Sequence, residues 1–215
     1  MSDPRYTPQI FDVANVEAAK RIILTPENDD STDERWAKET PYLAGEFIDA
    51  LAVTDASILV DYGCGIGRLS KELIERTGCT VVGVDISTSM LALANVYVSS
   101  DRFIGCAPAG LRRLIDNGLQ ADGAYAVRSL QHCLTPADDI QLICDTVTFG
   151  ALLCVVNSVY RLIPTDQGWI NNGEDIVEIC ARKFDEIEDR PIPQESVHEA
   201  LRNSSYFKVF RKPQP

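Results

Sequence analysis

Three glycines at alternate positions, Gly63, Gly65 and Gly67, lie between an apolar run and an amphipathic one in LVDYGCGIGRLS, residues 59–70. Glycine lets a chain turn tightly and approach a ligand with no Cβ in the way. A helix starting behind such a turn also offers N–H groups without intrahelical partners. The segment reads as a cofactor-binding turn. A dinucleotide site would ordinarily require GxGxxG, its third glycine allowing close helix–strand packing, but the spacing here is GxGxG and Arg68 stands where that glycine belongs. Two residues before the turn, Asp61 disfavours an anionic pyrophosphate and favours a positively charged ligand.

The elements around the turn alternate regularly. SILVDY, TVVGVD, DRFIGC, GAYAVRSL and ALLCVVNS read as strands. Arg68 to Arg76, Ser87 to Val98, Leu111 to Asn117 and Pro136 to Thr148 read as the helices between them, stopped or started by Gly78, Ser87, Gly118 and Pro136. Strand–helix alternation implies right-handed crossovers and a parallel sheet. After residue 160 a helix is expected over 173–183, a strand over 184–189, a helix over 194–203 and a strand over 206–211, with one of the two late strands antiparallel. Before residue 53, a helix over 13–24 with Asp12 as its cap and a second over 42–51 flank TPENDDSTDERWAKETP, residues 25–41, read as a loop or boundary. Residues 1–52 are thus expected to form a helical appendage or lid on a domain spanning 53–215, the whole a single compact unit.

Composition narrows the function classes. The chain has 215 residues, 45% apolar and 24% charged, as an ordinary globular protein has. Its net charge of −12 repels a phosphate backbone, so a nucleic-acid partner is not expected. The longest apolar run, Ala151 to Val156, is far short of the ~20 residues that span a bilayer, and MSDPRYTPQI is too polar for a secretory signal. No membrane partner and a cytoplasmic location are expected. The seven cysteines form no CxxC pair, so buried reduced thiols are expected, with no disulfide framework and no metal site.

DYGCGIG, residues 61–67, resembles the first motif of the class I S-adenosylmethionine-dependent methyltransferases, and VVGVDIS, residues 81–87, resembles their second. The likeness extends through the order of elements over about residues 57–157. It implies a Rossmann-like α/β fold, a mostly parallel seven-stranded sheet with helices on both faces, and S-adenosyl-L-methionine as cofactor. Carried over position by position, it places the cofactor on Asp61 and on Gly63, Cys64, Gly65 and Gly67, with Asp85 on the ribose hydroxyls. The 18 residues from Gly67 to Asp85 suit that last role. Where relatives often carry an acid for the adenine amino group, the sequence reads FIGCAPAG. Adenine recognition would then fall to Cys106 and Ala107, with Ile86 as one apolar face. Arg128, at the end of the fourth strand, is a further cofactor contact.

Methyl transfer from a sulfonium is an in-line displacement whose main demand on the protein is alignment. Near-attack placement contributes roughly 7–11 kcal/mol and a general base about 10²–10⁴-fold. Only two histidines are present. His132 follows the fourth strand at the carboxyl edge where ligands bind, and is the candidate base; His198 lies in a late helical segment. Trp36, Arg128, Tyr160 and Trp169 are candidate substrate contacts. RSLQ replaces the N/D-P-P-Y of adenine amino methyltransferases, which with the charge leaves a small molecule as the leading acceptor class. A protein or peptide acceptor, and a non-catalytic cofactor-binding regulator, are the alternatives.

Overall fold

The computed structural model describes residues 3–27, 30–193, 195–197 and 199–215. Five largely apolar runs form strands β1 (Ile58–Tyr62), β2 (Thr80–Val84), β3 (Phe103–Cys106), β4 (Ala121–Val127) and β5 (Val147–Ser158). Period-two alternation sends Val60 and Tyr62 of β1 to one face of the sheet and Leu59 to the other, and both faces are covered. Helices α1 (Val16–Ile23), α2 (Thr32–Ala50), α3 (Arg68–Thr77) and α4 (Thr88–Val98) lie toward one side. Helices α5 (Pro108–Asp116), α6 (Pro136–Thr146) and α7 (Ile176–Ala181) lie toward the other. A hairpin of β6 (Ile163–Thr165) and β7 (Gly168–Ile170) stands apart, and β8 (Asp185–Arg190), α8 (Glu199–Ser204) and β9 (Ser205–Arg211) end the chain.

The sheet order is β3-β2-β1-β4-β5-β9-β8. The first five strands are parallel, and β9 runs antiparallel to both its neighbours. This is the expected Rossmann-like α/β architecture of seven mostly parallel strands. Because the chain leaves β1 toward β2 and leaves β4 toward β5, the order reverses between β1 and β4, opening a crevice beyond their carboxyl ends. Among the described residues no helix is long and apolar enough to cross a membrane.

The N-terminal helices differ from their expected bounds. Helix α2 begins at Thr32, so most of the expected loop over 25–41 is helix. Ser31 and Glu34 form a capping box: the Ser31 amide donates to Glu34 Oε2 at 2.8 Å and the Glu34 amide to Ser31 Oγ at 3.3 Å. Pro41 falls inside the helix, not in its first turn. Its missing donor is tolerated because Leu43, Ala44 and Phe47 bury this helix in the core, a gain that outweighs one lost bond. Helix α1 is capped by Asn15, whose Oδ1 accepts the Ala18 amide at 2.9 Å, while Asp12 accepts the Ser87 hydroxyl at 2.9 Å. The helix expected over 173–183 shortens to Ile176–Ala181. In the stretch 194–203, Gln194 and His198 lie outside the described residues.

Glu39 of α2 is only 1% exposed and bridges two guanidiniums: Oε1 accepts Arg35 Nη2 at 2.9 Å and Oε2 accepts Arg128 Nη1 at 2.9 Å. This ion triad ties α2 to the residue that follows β4. Replacing Glu39 by Gln leaves two buried guanidiniums facing a neutral amide, at a cost of about 3–5 kcal/mol, so Tm should fall on the order of 10 °C. A calorimetric melt within 2 °C of wild type would show that the triad contributes nothing net.

Candidate functional site

The site is assembled from four strand ends. Successive residues of β1 face opposite sides, so Asp61 turns toward α3 and Tyr62 toward α6. Asp61 is 3% exposed and accepts the Ser70 hydroxyl at 2.7 Å. Burial pushes its pKa up to about 6, against the smaller opposing effects of that hydrogen bond and of Arg68.

The glycine turn adopts positive φ at Gly63 (83°), Gly65 (55°) and Gly67 (77°), a region that side-chain-bearing residues rarely enter. Each glycine also meets a neighbour. A Cβ on Gly63 would lie 2.1 Å from Cβ of Ser129, and one on Gly67 would lie 2.4 Å from Val98. The turn's amides are mostly committed within the protein: Gly63 and Cys64 donate to the Val84 carbonyl at 2.7 and 2.9 Å, and Gly65 to Asp85 Oδ2 at 2.8 Å. Asp85 Oδ1 takes the Ser87 amide at 2.8 Å. A carboxylate oxygen has two acceptor positions, so each oxygen of Asp85 keeps one for a ligand hydroxyl. Burial raises the Asp85 pKa and these amides lower it, with burial dominant.

Beyond β4, Arg128 takes φ 51°, unusual for a residue with a side chain. Its amide donates to the Val156 carbonyl at 2.7 Å, its Nη1 reaches Glu39, and its buried Nε has no partner. His132 follows in a short 3-10 turn, Leu130–His132. Its Nδ1 lies 2.6 Å from the Leu162 carbonyl, which only accepts, so Nδ1 carries the proton and Nε2 keeps its lone pair, facing Gln131 Nε2 at 3.2 Å. Burial lowers its pKa, keeping the ring neutral at pH 7. The ring packs against Phe11 and Trp169, with centroids 5.4 and 5.3 Å away.

These groups line one cavity of about 740 Å³. Of the residues expected in the site, Asp61, Gly63, Cys64, Gly65, Asp85, Ile86, Arg128, His132 and Trp169 border it. The others do not. Gly67 is the N-cap of α3 and packs on α4, while Pro108, not Cys106 or Ala107, forms the wall after β3. Trp36 is held edge-on to Tyr97 under the Arg68 guanidinium, in a separate surface groove, and Tyr160 is 61% exposed away from the cavity.

Sequence reasoning missed Tyr62, Asp139, Phe11, Arg35 and Arg68, all of them in the cavity wall. Tyr62 was readable from strand alternation beside Asp61. The others arrive from α2, α3, α6 and the N-terminal segment through packing.

A glycine turn after β1, an acid after β2 and a cavity at the reversal of strand order define the class I, Rossmann-like methyltransferase architecture. Residues 59–147 match the family described as "Methyltransferase domain". The chain is 29% identical over 137 residues to an N-demethylindolmycin N-methyltransferase of Streptomyces griseus, a match covering 58% of this chain and 55% of that protein. It is 36% identical over 70 residues to a trans-aconitate 2-methyltransferase of Delftia acidovorans, covering 32% of this chain and 26% of that one. The chain thus spans about half or less of these relatives. Among solved structures, the N-methyltransferase NodS from Bradyrhizobium japonicum WM9 superposes with a TM-score of 0.63 at 15% identity, over 91% of this chain and 97% of that one.

Asp61 has a measurable signature in the ligand-free protein. Its folded pKa of about 6 exceeds the ordinary 3.8, so between those values the folded state holds a proton the unfolded state releases. Its contribution to stability should therefore fall as pH rises through that window and level off above about 6. Melting curves of wild type and Asp61→Asn from pH 4 to 8 should show their difference shifting against wild type over that range. A pH-independent difference would refute the assignment.

Proposed function

We propose that this protein transfers a methyl group from S-adenosyl-L-methionine to a small-molecule acceptor inside the 740 Å³ cavity. The observation that carries the reading is the buried pairing of Asp61 and Asp85 around the glycine turn, open to that cavity. The cofactor fits these residues. Asp85 has acceptor positions left for ribose hydroxyls, Asp61 offers a buried anion to a cation, and the unpartnered Nε of Arg128 suits a carboxylate. Ile86 and Pro108 supply apolar walls for a base. When bound, the cofactor supplies an activated methyl group on a positively charged sulfur.

The protein's own part is placement and exclusion of water. Residues 5–13 cross the cavity mouth, tied to the β6–β7 hairpin by the Thr7 amide on the Pro164 carbonyl at 3.0 Å and to α4 by the Val13 amide on Ser89 Oγ at 2.9 Å. The segment acts as a lid, keeping water from competing with the acceptor. His132, neutral and with its tautomer held by Leu162, serves as proton acceptor where the nucleophile must lose one. Trp169 and Phe11 contact the acceptor. The net charge of −12 supports an acceptor other than nucleic acid.

Titration calorimetry with S-adenosylmethionine tests the reading. Wild type should bind, Asp85→Ala should lose about tenfold or more in affinity through the lost hydroxyl contacts, and binding should strengthen as pH rises through about 6 as Asp61 ionises. Absence of binding by wild type, or an unaltered affinity in Asp85→Ala, would sink the site.

A further inference from the structure

Asp139 is not used by the cofactor reading, yet it lines the cavity. It is the fourth residue of α6, and its Oδ1 accepts the Tyr62 hydroxyl. No described cation lies within ion-pair distance of it. The guanidinium of Arg161 is nearby but makes its hydrogen bonds elsewhere, to the carbonyls of Gln131 and Cys133 and to Glu174. The Cys133 thiol beside it donates to the Ser129 carbonyl at 3.6 Å, and the Tyr6 hydroxyl points to the His132 carbonyl at 3.5 Å. So a carboxylate with room for about four hydrogen bonds is held only by neutral donors, the Tyr62 hydroxyl and the adjoining Cys133 thiol, in the wall of a cavity. Burial raises its pKa, outweighing the Tyr62 and Cys133 hydrogen bonds and the more distant Arg161 charge that lower it.

Three rings line the same cavity. Phe11, His132 and Trp169 lie with centroids 5.3–6.2 Å apart, and Trp169 is half exposed. An anion beside aromatic faces is the combination that recognises an ammonium group joined to an apolar body. Strand alternation separates this pole from the cofactor's. Asp61 faces α3 and Tyr62 faces α6, so the two acids serve different ends of the cavity.

Building on the methyltransferase reading, we propose that Asp139, fixed by Tyr62, binds the nitrogen of the methyl acceptor, and that the acceptor is a small amine with an aromatic or apolar body. The carboxylate orients the ammonium and accepts one of its protons, which frees the nitrogen lone pair to take the methyl, and the ring cluster holds the rest of the molecule.

The test is calorimetry on the full chain with two probes of like shape and opposite charge, phenethylamine and 3-phenylpropionate, with and without S-adenosylhomocysteine. Wild type should bind phenethylamine about tenfold or more tightly than 3-phenylpropionate. Asp139→Asn, which keeps the shape and a partner for Tyr62, should lose that preference while its affinity for S-adenosylhomocysteine stays within about twofold, and Tyr62→Phe should weaken amine binding by about threefold. Preference for 3-phenylpropionate, no amine binding by wild type, or undiminished amine binding in Asp139→Asn would each overturn the proposal. So would a loss in Asp139→Asn of affinity for S-adenosylmethionine but not for S-adenosylhomocysteine, since Asp139 would then serve the sulfonium. Failure of wild type to bind either adenosyl compound would instead overturn the methyltransferase reading, while the amine titration without them still judges Asp139.

Discussion

The structure depends on how one buried carboxylate is neutralised. Glu39 comes from α2, in the N-terminal part of the chain, and reaches the carboxyl edge of the sheet between Arg35 and Arg128. An isolated charge at 1% exposure would be prohibitively costly, so the triad forms together or not at all. Its formation sets the geometry of the cavity. Arg128 is held in a left-handed conformation that costs on the order of 1 kcal/mol, and both the β4–β5 ladder and Glu39 keep it there. The 3-10 turn bearing His132 follows directly.

Around that anchor the cavity divides electrostatically. Arg35, Arg68 and Arg128 gather on one wall with Asp61, Asp85 stands after β2, and Asp139 lies on the far side of β1. Burial lowers the pKa of Arg68 to about 10 and raises that of Asp61 to about 6. Both shifts are what burial does to a charged group.

Much of the fold was legible because its signals are local. Period-two and period-3.6 patterns, glycine stops and the strand–helix alternation locate β1 to β5 and the helices between them. The longer α2 was also written locally, in Ser31 and Glu34, but the acidic stretch and Pro41 carry the composition of a loop. Weak periodicity after residue 160 hid the β6–β7 hairpin, three residues per strand. In the site, Asp61, Gly63, Gly65, Asp85 and His132 were legible from motif and strand-end position. Trp36 and Tyr160 were chosen as aromatic residues in suitable regions, and packing turned each away from the cavity.

The sequence by itself determined the glycine turn, the acids before and after it and the order of elements, because these follow from neighbours a few residues apart. Only the tertiary structure decided which charges meet. Glu39 and Arg128 are 89 residues apart and Tyr62 and Asp139 are 77, pairings set by how α2 and α6 pack on the sheet. The turn's amides illustrate the same division. Their spacing promised free donors, but contact with β2 commits them to Val84 and Asp85, because a buried N–H takes whichever acceptor the fold brings nearest.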